Sequence, residues 1–263
     1  MAADVSPCPR IATRRVPAEK TLAIIIRLAD FSESSRVVTM FTRDFGKVAA
    51  IAKGAKRLRS PFEAALDLLG VCEVVILRKS SGGLDIVTEA KLRQRFTPIR
   101  RQLGHLYAGY YLAELVDATC EPYDAHPLLY DEANTCLERL ATPADLAGII
   151  SRFELTLLRE IGQLPIFDAC ASCASVLGTS THYCFRVASG GLICRHCGGE
   201  EAQGIWIGVE TARFIQQLFN GPIPNAQEQT LPPRARSELR SVINSTIAHV
   251  LGRRPKTLRY LPL

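Results

Sequence analysis

Four of the nine cysteines stand in two pairs of equal spacing, Cys170-x2-Cys173 and Cys194-x2-Cys197, with 20 residues between the pairs. A CxxC turn can aim two thiolates at one ion, and a second pair across a small hairpin completes a tetrahedron with metal–sulfur bonds of roughly 2.3 Å. The spacing falls in the range of zinc ribbons, so these four residues are expected to hold one structural Zn2+. Four thiolates leave no coordination position open for water or substrate, which makes the site a brace rather than a catalyst. Gly190 and Gly191 favour a turn before the second pair; Gly198 and Gly199 follow it, where CxxC knuckles often need positive φ. A redox CxxC needs one pair behind a thioredoxin-like strand, and two disulfides suit an exported chain. An iron–sulfur cluster is compatible with the same four sulfurs. His182, Cys184 and His196 are nearby in sequence as substitute ligands, but two complete pairs make them unnecessary.

A second constellation is cationic. Lys53, Lys56, Arg57 and Arg59 crowd into the glycine-containing segment 52–59, with Lys47 shortly before it and Arg78 and Lys79 further on. Between Lys20 and Phe96 there are 14 Lys and Arg against 8 Asp and Glu, an excess equal to the whole chain's net charge of +6. A positive field confined to one region suits a polyanion, and phosphate contacts by Lys and Arg give salt-dependent affinity without reading bases. Arg36, Arg43 and Phe45 offer further cations and a stacking surface, whereas Phe41 and Phe62 read equally as core. With 7% aromatic residues, the contact is expected to be led by the backbone.

These residues need a scaffold, and the pattern supplies one. Residues 21–28, 36–42, 46–52, 71–77 and 84–90 are alternating or β-branched runs of strand length, separated by turn signals at 30–35, 44–46 and 80–83. In the first run Leu22, Ile24, Ile26 and Leu28 are expected on one face. A longer segment with Pro61 and a short helix near Phe62–Leu68 joins the third and fourth runs. Five strands with that excursion match the oligonucleotide-binding barrel, the OB-fold, whose second and third strands and 4–5 loop hold oligonucleotides. After Pro98 the period turns helical, with Leu103, Leu106, Tyr107 and Tyr110 on one face. Thr142, Pro143 and Asp145 read as N-cap, N1 and N3 of a helix whose apolar stripe is Leu146, Ile149, Ile150, Phe153, Leu157 and Ile161. Helical periodicity resumes over 209–219 and 234–251, across a Pro- and Gly-rich loop at 220–233.

The expected class is α+β. Residues 1–19 form a flexible tail, 20–96 the barrel, 97–167 and 204–252 a helical domain, 168–203 an inserted four-cysteine finger, and 253–263 a C-terminal tail. No apolar run approaches the roughly 18 residues that cross a bilayer. The amino-terminal stretch holds Pro7, Pro9 and Pro17 with scattered arginines, unlike a secretory signal, with a mitochondrial presequence as the rival reading. A reducing cytoplasm suits nine cysteines, an odd number, without an export signal.

The strings Asp30-Phe31-Ser32-Glu33-Ser34-Ser35-Arg36-Val37-Val38-Thr39, Phe45-Gly46-Lys47-Val48, Ala52-Lys53-Gly54-Ala55-Lys56 and Tyr110-Tyr111-Leu112-Ala113-Glu114-Leu115-Val116 together resemble the bacterial RecO family of recombination mediators. The resemblance spans about residues 21–251. It implies a DNA-binding accessory protein that binds single- and double-stranded DNA and anneals strands coated with single-strand-binding protein. It also implies RecR and the single-strand-binding protein's C-terminal tail as partners, RecA as an indirect one, and a cytoplasmic, nucleoid-associated place. Some members lack the cysteine tetrad; this chain keeps all four. The extension before Lys20 departs from the family pattern.

No phosphate-binding loop or nucleophile elbow is present, and the five histidines are scattered, so neither an enzyme nor a small-molecule substrate is expected. Glu114, Asp117 and Glu121 read as a solvated helix face. Two other classes stand beside DNA binding: a zinc-containing adaptor whose barrel is inert, and an RNA-binding module.

Overall fold

The computed structural model describes residues 18–57, 60, 62, 65–79, 83–142, 145–176, 182–199, 203–220 and 232–262. Five strands come first: β1 (Ala18–Asp30), β2 (Arg36–Thr42), β3 (Gly46–Ala52), β4 (Val71–Leu77) and β5 (Asp85–Gln94). They close into a barrel in the order β1-β2-β3-β5-β4, with β3 and β5 parallel and the other pairs antiparallel. Closure covers most strand edges, the usual benefit of a barrel, although β5 pairs only with Ala50–Ala52 of β3. The OB-like barrel expected from the strand pattern is present.

Alternation sorts the side chains of β1 in a way the sequence did not suggest. Ala23 and Ile25 enter the barrel, where they meet Val38, Met40, Val48, Ala50, Val74, Ile76 and Val87. Ile24 and Ile26 point outward yet are buried, because with Phe41, Leu69 and Val71 they join the core of the helical domain. A bulge between Ile25 and Arg27 inserts Ile26 as an extra residue, so beyond it Leu28 rather than Arg27 turns to the barrel core. The single apolar face expected for this strand is therefore two faces. Phe62, Ala65 and Leu66 plug the barrel; among the described residues of this segment there are turns but no helix. Pro61 lies outside them.

The helical domain comprises α1 (Leu103–Thr119), α2 (Pro127–Leu140) and α3 (Leu146–Glu160), later joined by two helices that follow the cysteine-rich stretch. The buried stripe of α1 is Ala108, Tyr111, Leu112, Leu115 and Val116; of the expected face, Leu106 and Tyr110 pack partly buried against this core, whereas Leu103 and Tyr107 mark another face. That other face is apolar too because the C-terminal segment lies on it: Tyr107 stacks on Tyr260 at 4.6 Å. The segment read as a tail is thus docked. Glu114 of α1 accepts hydrogen bonds from the Lys256 and Thr257 N–H groups, the Thr257 hydroxyl and Arg253, at 2.6–3.0 Å. The α3 helix starts at Leu146, later than expected, with Asp145 at its N-cap. The Thr142 hydroxyl is spent on the Arg139 carbonyl at the end of α2, and Pro143 lies outside the described residues.

Next come β6 (His182–Arg186), β7 (Gly191–Ile193), the short α4 (Arg195–Gly198) and β8 (Ile205–Gly208), followed by α5 (Val209–Asn220) and α6 (Pro233–Leu251). The sheet order is β7-β6-β8. Phe185, Leu192 and Ile207 of this sheet are buried in the helical core, and Phe167 stacks on Phe185 at 5.7 Å. The finger therefore borrows its apolar backing from the helices. Inside that core Arg240 of α6 meets Glu154 of α3, which also accepts from the Tyr111 hydroxyl. No helix among the described residues is long and apolar enough to cross a membrane.

Candidate metal centre and nucleic-acid interface

The cysteine pairs converge as their spacing requires. The 170–173 turn is closed by backbone bonds from Ala174 to Cys170 and from Cys170 to Ser175, and tied to β7 by the Ala171 N–H on the Leu192 carbonyl. The second pair sits at the end of β7 and in α4, with Gly190 (φ 69°) turning the chain before β7 and Gly199 (φ 68°) after α4. Ala174 also has positive φ (58°), a position its residue type gave no cause to single out.

All four Sγ atoms lie within 4.8 Å of one another. The Cys173–Cys194 sulfur separation is 3.8 Å. That is too long for a disulfide of about 2.05 Å, and it equals the edge of a tetrahedron with bonds of roughly 2.3 Å. Burial raises the Cys170 thiol's pKa, but the Cys194, Cys173 and Ser172 N–H groups outweigh this and hold it at about 6. Cys197, sharing its proton with the Cys173 and Cys194 sulfurs, is pushed up to about 12. The four cysteines, with their sulfurs at tetrahedral spacing, can hold a metal ion. His182, Cys184 and His196 are not part of the cluster.

The basic residues divide by position. Past β3 the chain makes a tight turn through Gly54 (φ 75°), and the Lys56 N–H bonds the Ser34 carbonyl of the β1–β2 loop, 3.0 Å away. The β3 exit and the β1–β2 loop therefore form one surface. Lys56 reaches Asp30 at 3.1 Å and Arg36 reaches the same carboxylate at 3.3 Å. The Lys56 hydrogen bond and charge, then Arg36, hold the Asp30 carboxyl below its ordinary range. Lys53 and Arg57 project into solvent beside this trio and make no ion pair with a described residue. Arg59 falls outside the described residues. Phe31, the first residue of the β1–β2 loop, is 60% exposed; an apolar ring inside a predicted turn was the available signal for it.

Two cations expected near this surface serve the domain boundary instead. Lys47 is only 16% exposed and rests on the Asp117 carbonyl at 2.5 Å and its carboxylate at 3.7 Å. Arg43 makes a paired contact with Asp131 of α2 at 2.8 and 2.9 Å. Arg78 bonds Glu19 at 2.6 Å and lies over the rings of Phe45 (5.0 Å) and Tyr123 (4.5 Å). Lys79 is exposed, its backbone N–H held by Asp85. Phe41 and Phe62 are core residues, as one of their two readings had it. Tyr123, which the sequence did not flag, stands between the domains.

Comparison with known proteins places both halves of the chain in one family. Residues 18–96 match the family model described as Recombination protein O N terminal, and residues 100–259 match Recombination protein O C terminal. The chain is 30% identical over 264 residues to the DNA repair protein RecO of Rhodopirellula baltica, covering 92% of this chain and 98% of that protein. It is also 30% identical to the proteins of the same name from Dehalococcoides mccartyi (92% and 94% covered) and Clostridium perfringens (90% and 95%).

Proposed function

Because the chain belongs to the RecO family of DNA repair proteins, we propose that the loop end of its barrel binds DNA through the sugar–phosphate backbone and anneals complementary single strands. One observation carries this: Lys53, Lys56 and Arg57 stand on the same surface as Arg36 and the exposed Phe31, joined through the Lys56–Ser34 backbone bond. Asp30 offsets one charge of Lys56 and Arg36, so the cluster keeps a net positive balance that phosphates can neutralise. Phe31 offers a ring for a base from an unpaired strand. Two backbones held near such a surface repel each other less, and their local concentration rises; that suffices for annealing without covalent chemistry. Lys79 extends the cationic rim. Arg59 is kept in the set on its sequence alone, and Arg78 is given a weaker part because Glu19 already engages it.

The four cysteines are proposed to hold one structural Zn2+, which fixes the finger on the helical core. Its tetrahedral sulfur set favours zinc over cations that prefer oxygen. By family, recombinase loading on strands coated with single-strand-binding protein, RecR and that protein's C-terminal tail as partners, and a nucleoid-associated cytoplasmic place belong to the same proposal.

The test is binding of a labelled single strand across a salt series, for wild type and for a variant with Lys53, Lys56, Arg57 and Arg59 all changed to Ala. The variant is expected to lose affinity, with a salt slope shallower by about 2 to 3, at about 0.7 per phosphate contact on a single strand. Unchanged affinity and slope would support the adaptor with an inert barrel. A marked preference for RNA of the same sequence would move the assignment to the RNA-binding module.

A further inference from the structure

Tyr123 belongs to the α1–α2 loop of the helical domain, yet its anchors lie on the barrel. Its N–H bonds the Lys47 carbonyl at 3.0 Å, and its hydroxyl donates to Asp85 at 2.6 Å. The Arg78 guanidinium covers one face of the ring at 4.5 Å. Pro122 pairs with Lys47 in the parallel sense. The other side of Lys47 is taken by Phe41 of β2, so the loop runs along the same edge of β3 that Asp85 of β5 occupies at Ala50. A segment of the helical domain thus continues the barrel sheet where β5 has not yet begun.

Three anchors hold a ring that is still 43% exposed. Its backbone sits at φ 62°, an uncommon conformation for so bulky a residue. A side chain present only to seal the domain boundary would be buried. Asp85, itself buried, also accepts the Lys79 N–H, so one carboxylate orders both the β4–β5 loop and the ring. Between Tyr123 and the basic turn runs the outer face of β3, where Ala49 and Ile51 are uncharged and half-buried, with Ile86 beside Ile51. From Lys47 to Ala52 that face measures about 17 Å at about 3.3 Å per residue. About five nucleotides at about 3.4 Å each cover it.

Resting on the DNA-binding reading above, we infer that Tyr123 is a base-stacking residue for single-stranded nucleic acid, so the strand's path crosses from the barrel onto the helical domain. Glu121 and Asp124 flank it, Asp85 accepts from its hydroxyl and Glu19 engages Arg78, so Arg78 and Lys79 are outnumbered and no positive field gathers phosphate at the ring. The contact is therefore one of ring against base, tolerant of sequence and insensitive to salt.

The experiment places a fluorescent reporter at the ring. Tyr123→Trp is made in a Trp206→Phe background, which removes the chain's one native tryptophan, and titrated with a 20-nucleotide oligothymidylate while anisotropy of the labelled strand reports binding. Stacking is expected to quench the emission by about half at saturation. Tyr123→Ala is expected to weaken binding by about 5- to 150-fold, the range of one lost base stack, with an unaltered salt slope, and Tyr123→Phe to bind like wild type. A tryptophan signal that stays constant while the strand binds overturns the inference and leaves the basic surface standing. So does wild-type affinity in a folded Tyr123→Ala protein. Failure of the wild type itself to bind overturns both readings.

Discussion

Arg240 and Glu154 meet inside the helical domain, guanidinium to carboxylate at 2.7 and 2.5 Å, and so join α6 to α3 across 86 positions of sequence. Glu154 is fully buried, and the Tyr111 hydroxyl from α1 donates to it as well. The Asn244 side-chain oxygen accepts two more of the guanidinium hydrogens, from Nε and Nη2. Removing one partner leaves a charge without water or counter-charge. Arg240→Ala is expected to cost about 3–5 kcal/mol in urea unfolding. Replacing both residues by methionine should cost less than the sum of the two single changes. Strict additivity would mean that the pair is not coupled.

Gly46 has φ 64°, and a Cβ there would stand 1.8 Å from the Asp124 carbonyl oxygen. Gly162 has φ 67° with open space around it. Ala at position 162 should cost only the left-handed penalty of about 1–2 kcal/mol. Ala at 46 should cost more, because the α1–α2 loop must leave β3 and the Tyr123 N–H loses the Lys47 carbonyl. Equal losses at the two sites would show that the loop's seat on the barrel contributes nothing.

Cys173→Ser should abolish stoichiometric metal in the purified protein. Loss of a structural ion costs at least about 4 kcal/mol, or about 8–16 °C in Tm at 2–4 °C per kcal/mol. The effect should reach the whole helical domain, since Phe185, Leu192 and Ile207 of the finger sheet are part of its core. Less than half an equivalent of zinc in carefully handled wild-type protein would defeat the metal assignment.

Burial raises the Glu114 carboxyl's pKa, but the Thr257 hydroxyl, the Lys256 and Thr257 N–H groups and Arg253 outweigh it and hold the group at about 2. A depressed carboxyl stabilises fully above its unfolded pKa of about 4.3, and that contribution is lost as pH falls toward 2. The Lys256 and Thr257 amide resonances should move through this window. In Glu114→Gln they should already be displaced at pH 7, with the C-terminal segment loosened from α1. Amides indifferent to both changes would rule out this docking role.

Much of the barrel is legible in the sequence, because period-two alternation and turn residues are local signals. The bounds of β2, β3 and β4 follow from them directly, and the cysteine cluster follows from spacing alone. What is illegible depends on partners distant in sequence. Ile24 and Ile26 look like one face of a half-buried strand until α1 is seen to cover them. Lys47 and Arg43 look like free cations until Asp117 and Asp131 arrive from helices 70 and 88 residues away. Tyr123 carries no periodic signal, since its loop becomes part of the sheet only after both domains have formed.

The apolar seam of Ile24, Ile26, Phe41 and Val71 against Tyr111 and Tyr130 has one more consequence. The two halves cannot be treated as interchangeable cassettes. A barrel excised at residue 96 would bare its outer isoleucines to water and stick to itself, and a barrel grafted from a distant relative would need the matching side chains to seat. Heat should dissolve both halves in one cooperative step.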